Sequence, residues 1–243
     1  SNLKKRGIIS VAATGRNLYS CKKVLTPDLP FDYLIFSTGV GILNFKNQII
    51  ISSREIPQKK AQKIADLILA FNSNIFIHNT APENHYFFYK RGLYNENFEK
   101  RFKLYEDFAI HLDDVSQIGN VSQFIIVMEN DFNDFLNKKK LIADAFPEVK
   151  IIRATSPIDD RYIWLEIYPS NVSKGSAAEE LCNYLEICIN ESIAIGNDYN
   201  DLELLEIAGK SYVVANAPED LRAIYETIAS NNNDGFAEAI ERI

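Results

Sequence analysis

Cysteine is scarce in this chain. The 243 residues hold only Cys21, Cys182 and Cys188, and their spacing fits neither a disulfide framework nor a zinc site; a reducing cytoplasm is the expected compartment. Long apolar runs are absent too: no stretch approaches the length of a membrane span, and no signal-peptide pattern opens the chain. Basic charge is in deficit, with 26 Lys and Arg against 33 Asp and Glu and a net charge of -7. That balance gives no electrostatic footprint for nucleic acid or an anionic membrane. Internal repeats and low-complexity segments are missing. Methionine occurs once, as Met128, and the opening Ser1-Asn2-Leu3 fits either removal of an initiator Met or a scar of expression. What is present is ordinary for a globular protein: 47% hydrophobic and 24% charged residues, in a chain long enough for one large domain or two modest ones.

Along the chain, Leu3 to Gly7 reads as the last turn of a helix, so the sequence begins in mid-element. Ile8 to Ala13 is a buried strand running into Thr14-Gly15-Arg16. Tyr33 to Phe36 is a second, running into Ser37-Thr38-Gly39, and residues 42–51 read as a hairpin. Pro57 opens an amphipathic helix with Ile64, Leu67, Ile68 and Phe71 on one side. Antiparallel strands then follow at 74–78, 86–89, 123–128, 149–154 and 162–167. Asp131 caps a helix expected to turn Phe132, Phe135, Leu136, Ile142 and Phe146 inward. From Pro169 the pattern returns to α/β: a helix capped by Ser173, a strand at 193–195, another at 212–214, and a helix over 219–228. The expected fold is an α/β, Rossmann-like parallel-sheet core made of residues 1–57 and 170–243. An inserted α+β cap would occupy residues 58–169.

Four fragments that could carry chemistry fall at strand ends or at a helix start. They are Thr14-Gly15-Arg16, Ser37-Thr38-Gly39, Val172-Ser173-Lys174-Gly175 and Gly196-Asn197-Asp198-Tyr199-Asn200-Asp201. In open α/β sheets, sites lie outside the carboxyl ends of the strands. A serine hydroxyl with loop N–H groups can hold phosphoryl oxygens, and a lysine at a helix N-terminus adds full charge. The oxygen-rich loop at 197–201 suits Mg2+. It also suits a plain turn and helix cap, and both readings stand at this point. A calcium loop is set aside, because starting that pattern at Asp198 puts Glu203 where glycine is needed. The cap histidines His78 and His85 read as structural or exposed before they read as substrate-contacting.

The ordered series A-T-G-R, F-S-T-G, V-S-K-G and G-N-D-Y-N-D, followed by Val214-Ala215-Asn216-Ala217 and Asn233-Asp234-Gly235, resembles the haloacid dehalogenase superfamily. Within it, the match is to the Cof-like sugar-phosphatase branch with its large inserted cap. The resemblance implies Mg2+-dependent hydrolysis of a small phosphorylated metabolite, such as a sugar phosphate, through an aspartyl-phosphate intermediate. It implies phosphate-binding roles for Ser37, Thr38, Lys174 and Asn200, with Lys174 neutralising the phosphate. Asn197, Asp198 and Asp201 are the implied metal donors.

Two departures from that pattern stand out. The family's D-x-D-G-T-L motif, which carries its nucleophile and its acid/base Asp at the end of the first, central strand, is not among the 243 residues. That segment would amount to about thirty residues, one βα unit. Its two neighbouring strands are then expected to show unpaired backbone edges, and the polypeptide is expected to be inactive as it stands. A non-catalytic binder of a phosphorylated metabolite is the alternative. Asn197 also stands where the family has its first metal-loop Asp, and an amide oxygen adds no charge.

Overall fold

A computed structural model of the chain describes residues 2–156, 158, 159 and 161–242. It divides into two compact units. The first comprises Ser1–Gly15, Pro30–Ile49 and Ser173–Ile243; the second comprises Arg16–Leu29 and Ile50–Val172. The division departs from the expected boundaries in one main respect: residues 16–29, assigned to the core from sequence, group with the second unit. There Tyr19 stacks on His85 with ring centroids 4.8 Å apart.

The first sheet runs in the order β1 (Val11–Ala13), β2 (Tyr33–Phe36), β3 (Gly41–Asn44) and β4 (Ile49–Ser53). β1 and β2 are parallel, with Val11 opposite Tyr33, and β2 and β3 are antiparallel.

The second unit is a six-stranded sheet in the order β7-β6-β5-β8-β10-β9. Its strands are β5 (Asn74–Asn79), β6 (Phe87–Lys90), β7 (Ala109–His111), β8 (Val121–Glu129), β9 (Val149–Thr155) and β10 (Tyr162–Pro169). The period-2 alternation of a pleated strand sorts its residues onto two faces. Ile75, Ile77, Phe124, Ile126, Ile163 and Leu165 cluster with Ile64 and Ile68 of helix Gln58–Leu69, and with Phe135 and Ile142 of helix Phe132–Ala145. Phe76, Phe87, Ile125, Val127 and Trp164 lie on the opposite face with Phe98 of helix Glu96–Leu104. With helices on both sides, β10 is buried along its whole length.

Back in the first unit, a three-stranded parallel sheet is ordered β11 (Ile193–Gly196), β12 (Lys210–Val214) and β13 (Glu226–Ile228). The helix Lys174–Tyr184 packs against β2, β3 and the short helix Leu202–Ile207. β1 ends one sheet of this unit and β11 ends the other; Val11 is 39% exposed and Ile193 37%.

Two local expectations need correction. The helix read over 219–228 stops at Ile224, and residues 226–228 pair with β12 instead, Tyr212 opposite Glu226. Asp131 does cap its helix, accepting from the Asn133 and Asp134 N–H groups, but Phe132 and Leu136 are exposed while Phe135 and Ile142 are buried. The difference is measurable. Phe132→Ala is expected to change stability by less than about 0.5 kcal/mol. Asp131→Ala should cost about 1 kcal/mol, and Phe135→Ala about 3 kcal/mol or more. Urea unfolding of the three variants checks this order, and an equal loss at both phenylalanines would contradict it.

Candidate functional site

Three loops at the carboxyl ends of strands and one helix start converge in the first unit. The loop after β1 is tied to β2 by Thr14 N–H donating to the Ile35 carbonyl at 2.9 Å, and Thr38 N–H returns a bond to the Thr14 carbonyl at 3.0 Å. The chain then turns sharply. Ser37, Thr38 and Gly39 have φ of 49°, 58° and 101°, a left-handed run that side chains larger than glycine adopt at a cost. Ser37 and Thr38 are nonetheless buried there. Gly39 is required by space as well, since a Cβ on it would lie 2.1 Å from the Ser173 carbonyl oxygen. The turn therefore sits directly against the start of the helix that carries Lys174.

That helix begins with a reciprocal cap. The Ser173 hydroxyl accepts from Ser176 N–H at 2.9 Å, and Ser173 N–H donates to the Ser176 hydroxyl at 3.0 Å. Lys174 follows as the first helical residue, buried to 4% exposure. Its ammonium donates to Asn200 Oδ1 at 2.9 Å and to Asp201 Oδ1 at 2.6 Å. The close approach depends on Gly175, where a Cβ would meet the Glu203 backbone at 2.7 Å. Gly15 closes the arrangement: a Cβ there would be 3.5 Å from Thr38 Oγ1 and 3.7 Å from Asn200 Nδ2. Ser37, Thr38, Lys174, Asn200 and Asp201, chosen from the sequence as site residues, are thus brought together.

The loop at 197–201 is both a turn and part of this cluster. Asp201, expected among the metal donors, spends one carboxylate oxygen on Lys174 and the other on the N–H groups of Asn197 (2.9 Å) and Asp198 (3.2 Å). Asp198 accepts from Tyr199 N–H at 2.7 Å, and both Asp198 and Asn197 lie exposed on the rim. Among the described residues no group of three or more His, Cys, Asp or Glu could hold a metal ion. One exposed carboxylate and one amide do not make a complete Mg2+ site, which calls for near-octahedral oxygen donors including carboxylate and phosphate. What these residues offer chemically is a buried ammonium and a tight turn at a helix start, the pattern that receives a phosphoryl group.

Known proteins resemble the chain along nearly its whole length. The family model for haloacid dehalogenase-like hydrolases matches residues 1–240. A Haemophilus influenzae protein named "Putative phosphatase" is 25% identical over 93% of this chain and 89% of its own length. The Bacillus subtilis "Putative phosphatase YxeH" is 26% identical over 99% of this chain and 87% of its own. Among solved structures, the HAD subclass IIB sugar phosphatase BT4131 shares the fold with a TM-score of 0.74 at 18% identity, over 99% of this chain and 87% of that one.

The Lys174–Asp201 pair is buried on both sides, at 5% side-chain exposure each. Removing one partner of such a pair leaves an uncompensated buried charge, at about 3–5 kcal/mol. Asp201→Ala is therefore expected to lose stability on that scale in urea unfolding, and the double variant with Lys174→Met to lose less than the sum. Additive losses would show that the two side chains are not coupled.

Proposed function

Because the chain belongs to the haloacid dehalogenase-like hydrolase family, we propose a phosphatase activity on a small phosphorylated metabolite, such as a sugar phosphate. The observation that carries this reading is the convergence of Lys174, Asn200, Ser37 and Thr38 around Gly39 and Gly175, neither of which admits a side chain. The names of the H. influenzae and B. subtilis relatives support the activity, and the likeness to the sugar phosphatase BT4131 supports the sugar-phosphate class.

Each residue has a definable task. The turn at Ser37–Gly39 borders the place where the phosphoryl oxygens would sit, and brings the Ser37 and Thr38 side chains to it. Lys174 meets them with positive charge, held in place by Asp201 and by the amide oxygen of Asn200. Charge held by preorganised donors counts most where it develops in the transition state. Mg2+ is the family's usual cofactor; when bound, it would add positive charge at the same oxygens. Asn197 and Asp198 are the oxygen donors this chain would turn toward it.

Attack on phosphorus falls, in this reading, to a carboxylate outside these 243 residues, which contain no D-x-D-G-T motif. Two observations support a strand bearing that carboxylate between β1 and β11. Both strands end their sheets, and both carry a half-exposed apolar residue, Val11 or Ile193. A sheet edge left with unpaired N–H and C=O groups is a ready template for another strand. The same observations favour a second reading, in which the chain binds a phosphorylated metabolite without cleaving it.

The test is an aryl phosphate assay with Mg2+. The 243-residue polypeptide is expected to show no turnover above blank, and the same polypeptide extended by an N-terminal strand bearing D-x-D-G-T is expected to gain it. Turnover by the unextended chain would contradict the assignment of the nucleophile. Failure of the extended chain, with phosphate binding intact, would favour the binding reading.

A further inference from the structure

The second unit presents an apolar patch that the proposed chemistry does not use. It lies on and beside the helix Glu96–Leu104, where Tyr94 is 83% exposed, Leu93 77% and Leu104 68%. Single exposed apolar residues scattered over a surface are ordinary, but a cluster of large ones marks a place of contact. Tyr94 and Leu104, with Ile158, also line a groove of about 560 Å3, together with Lys100 and Lys103 of the same helix.

The backbone that displays this patch is tied down from beneath. Phe98 is fully buried and stacks on Phe76 with ring centroids 4.4 Å apart. Asn97 accepts from the Trp164 indole N–H at 2.9 Å and donates to the Ser156 hydroxyl at 2.6 Å. The approach to the helix is held as well. Gly92 N–H donates to Asn74 Oδ1 at 3.1 Å, and the Leu93 carbonyl accepts from Asn74 Nδ2 at 2.6 Å. Asn95 then caps the helix, accepting from Phe98 N–H at 2.9 Å. A surface ordered in this way loses little conformational freedom when it is covered.

Charge on the helix is sorted by position. Glu96 and Glu99 lie in the first turn and Lys103 in the last, with Lys100 between them. At 3.6 residues per turn these four and Leu104 fall on one side of the helix, away from Phe98. Their charges cancel, in a chain whose net charge is -7. A partner of one sign would match only one end of this helix. An antiparallel copy of the same helix matches both ends.

We propose that this face is where two copies of the chain associate, across a two-fold axis that passes near the middle of the helix Glu96–Leu104. Such a contact is isologous, so every pairing occurs twice. Lys103 of one copy lies opposite Glu96 and Glu99 of the other, and Leu104 of one copy meets Tyr94 of the other at the groove. Near the axis, Lys100 keeps its ion pair with Glu96 at 2.7 Å, which offsets its repulsion from its own copy. The existing pairs of Glu99 with Arg91 and of Lys103 with Glu106 are exposed. Pairs of that kind are weak in water, so sharing them with a second copy costs little. The apolar patch supplies affinity, and the charges fix the antiparallel orientation. The contact uses the second unit alone and does not depend on the phosphatase reading.

Sedimentation velocity of the 243-residue protein tests this. A reversible dimer is expected as the concentration rises toward about 100 μM, where even a contact of modest affinity is populated. Leu104→Ser should weaken the dimer at least tenfold. Lys103→Glu, and separately the pair Glu96→Lys with Glu99→Lys, should each leave a monomer with unchanged far-UV circular dichroism. Mixing the two charge-reversed proteins should restore a dimer, because every contact across the axis again joins opposite charges. The proposal is overturned by a monomer throughout that range, by a dimer that Leu104→Ser or either charge reversal leaves intact, or by a mixture of the two folded, reversed proteins that stays monomeric.

Discussion

A single buried ammonium–carboxylate contact, Lys174 to Asp201 at 2.6 Å, fixes the layout of the first unit. It joins the start of the helix Lys174–Tyr184 to the loop after β11, and that helix also packs on β2, β3 and the turn at Ser37–Gly39. Two separate sheets are thus held around one charged point. Desolvating two ions is expensive, and such pairs persist where further hydrogen bonds satisfy the remaining lone pairs. Here Asn200 takes a second ammonium proton, and the Asn197 and Asp198 N–H groups saturate the other carboxylate oxygen. The pair's net charge is near zero. Lys174 is therefore held in one orientation by its partners.

The glycines follow from that contact. Gly39 and Gly175 lie where a Cβ would strike the Ser173 or Glu203 backbone. The four sequence fragments are small-residue motifs because backbone has to approach backbone around Lys174. The strained φ values at Ser37 and Thr38 belong to the same constraint.

Much of this was legible in the sequence, for identifiable reasons. Short apolar runs bounded by turn residues located β5, β8 and β10, and side-chain caps located the helices starting after Asp131 and Ser173. The family resemblance also named Lys174 and Asn200, which the fold brings into hydrogen-bond contact. What could not be read was the partner choice of Asp201: an acidic loop residue looks the same whether it faces a metal or a lysine 27 positions earlier. Residues 226–228 continued the helical spacing of Leu221 and Tyr225, and pairing with β12 overrode it. The helix Glu96–Leu104 has only Phe98, Phe102 and Leu104 as apolar residues, and Leu104 is 68% exposed, so its periodicity is weak.

A phosphate-binding site assembled around Lys174 from the turn at Ser37–Gly39 and the loop at 197–201 is the central claim. The most direct measurement is a crystal structure of the protein soaked with inorganic phosphate. The expected result is a phosphate beside that turn, within hydrogen-bond distance of the Lys174 ammonium. A phosphate bound only elsewhere, with the Lys174–Asp201 contact closed and the turn empty, would contradict it.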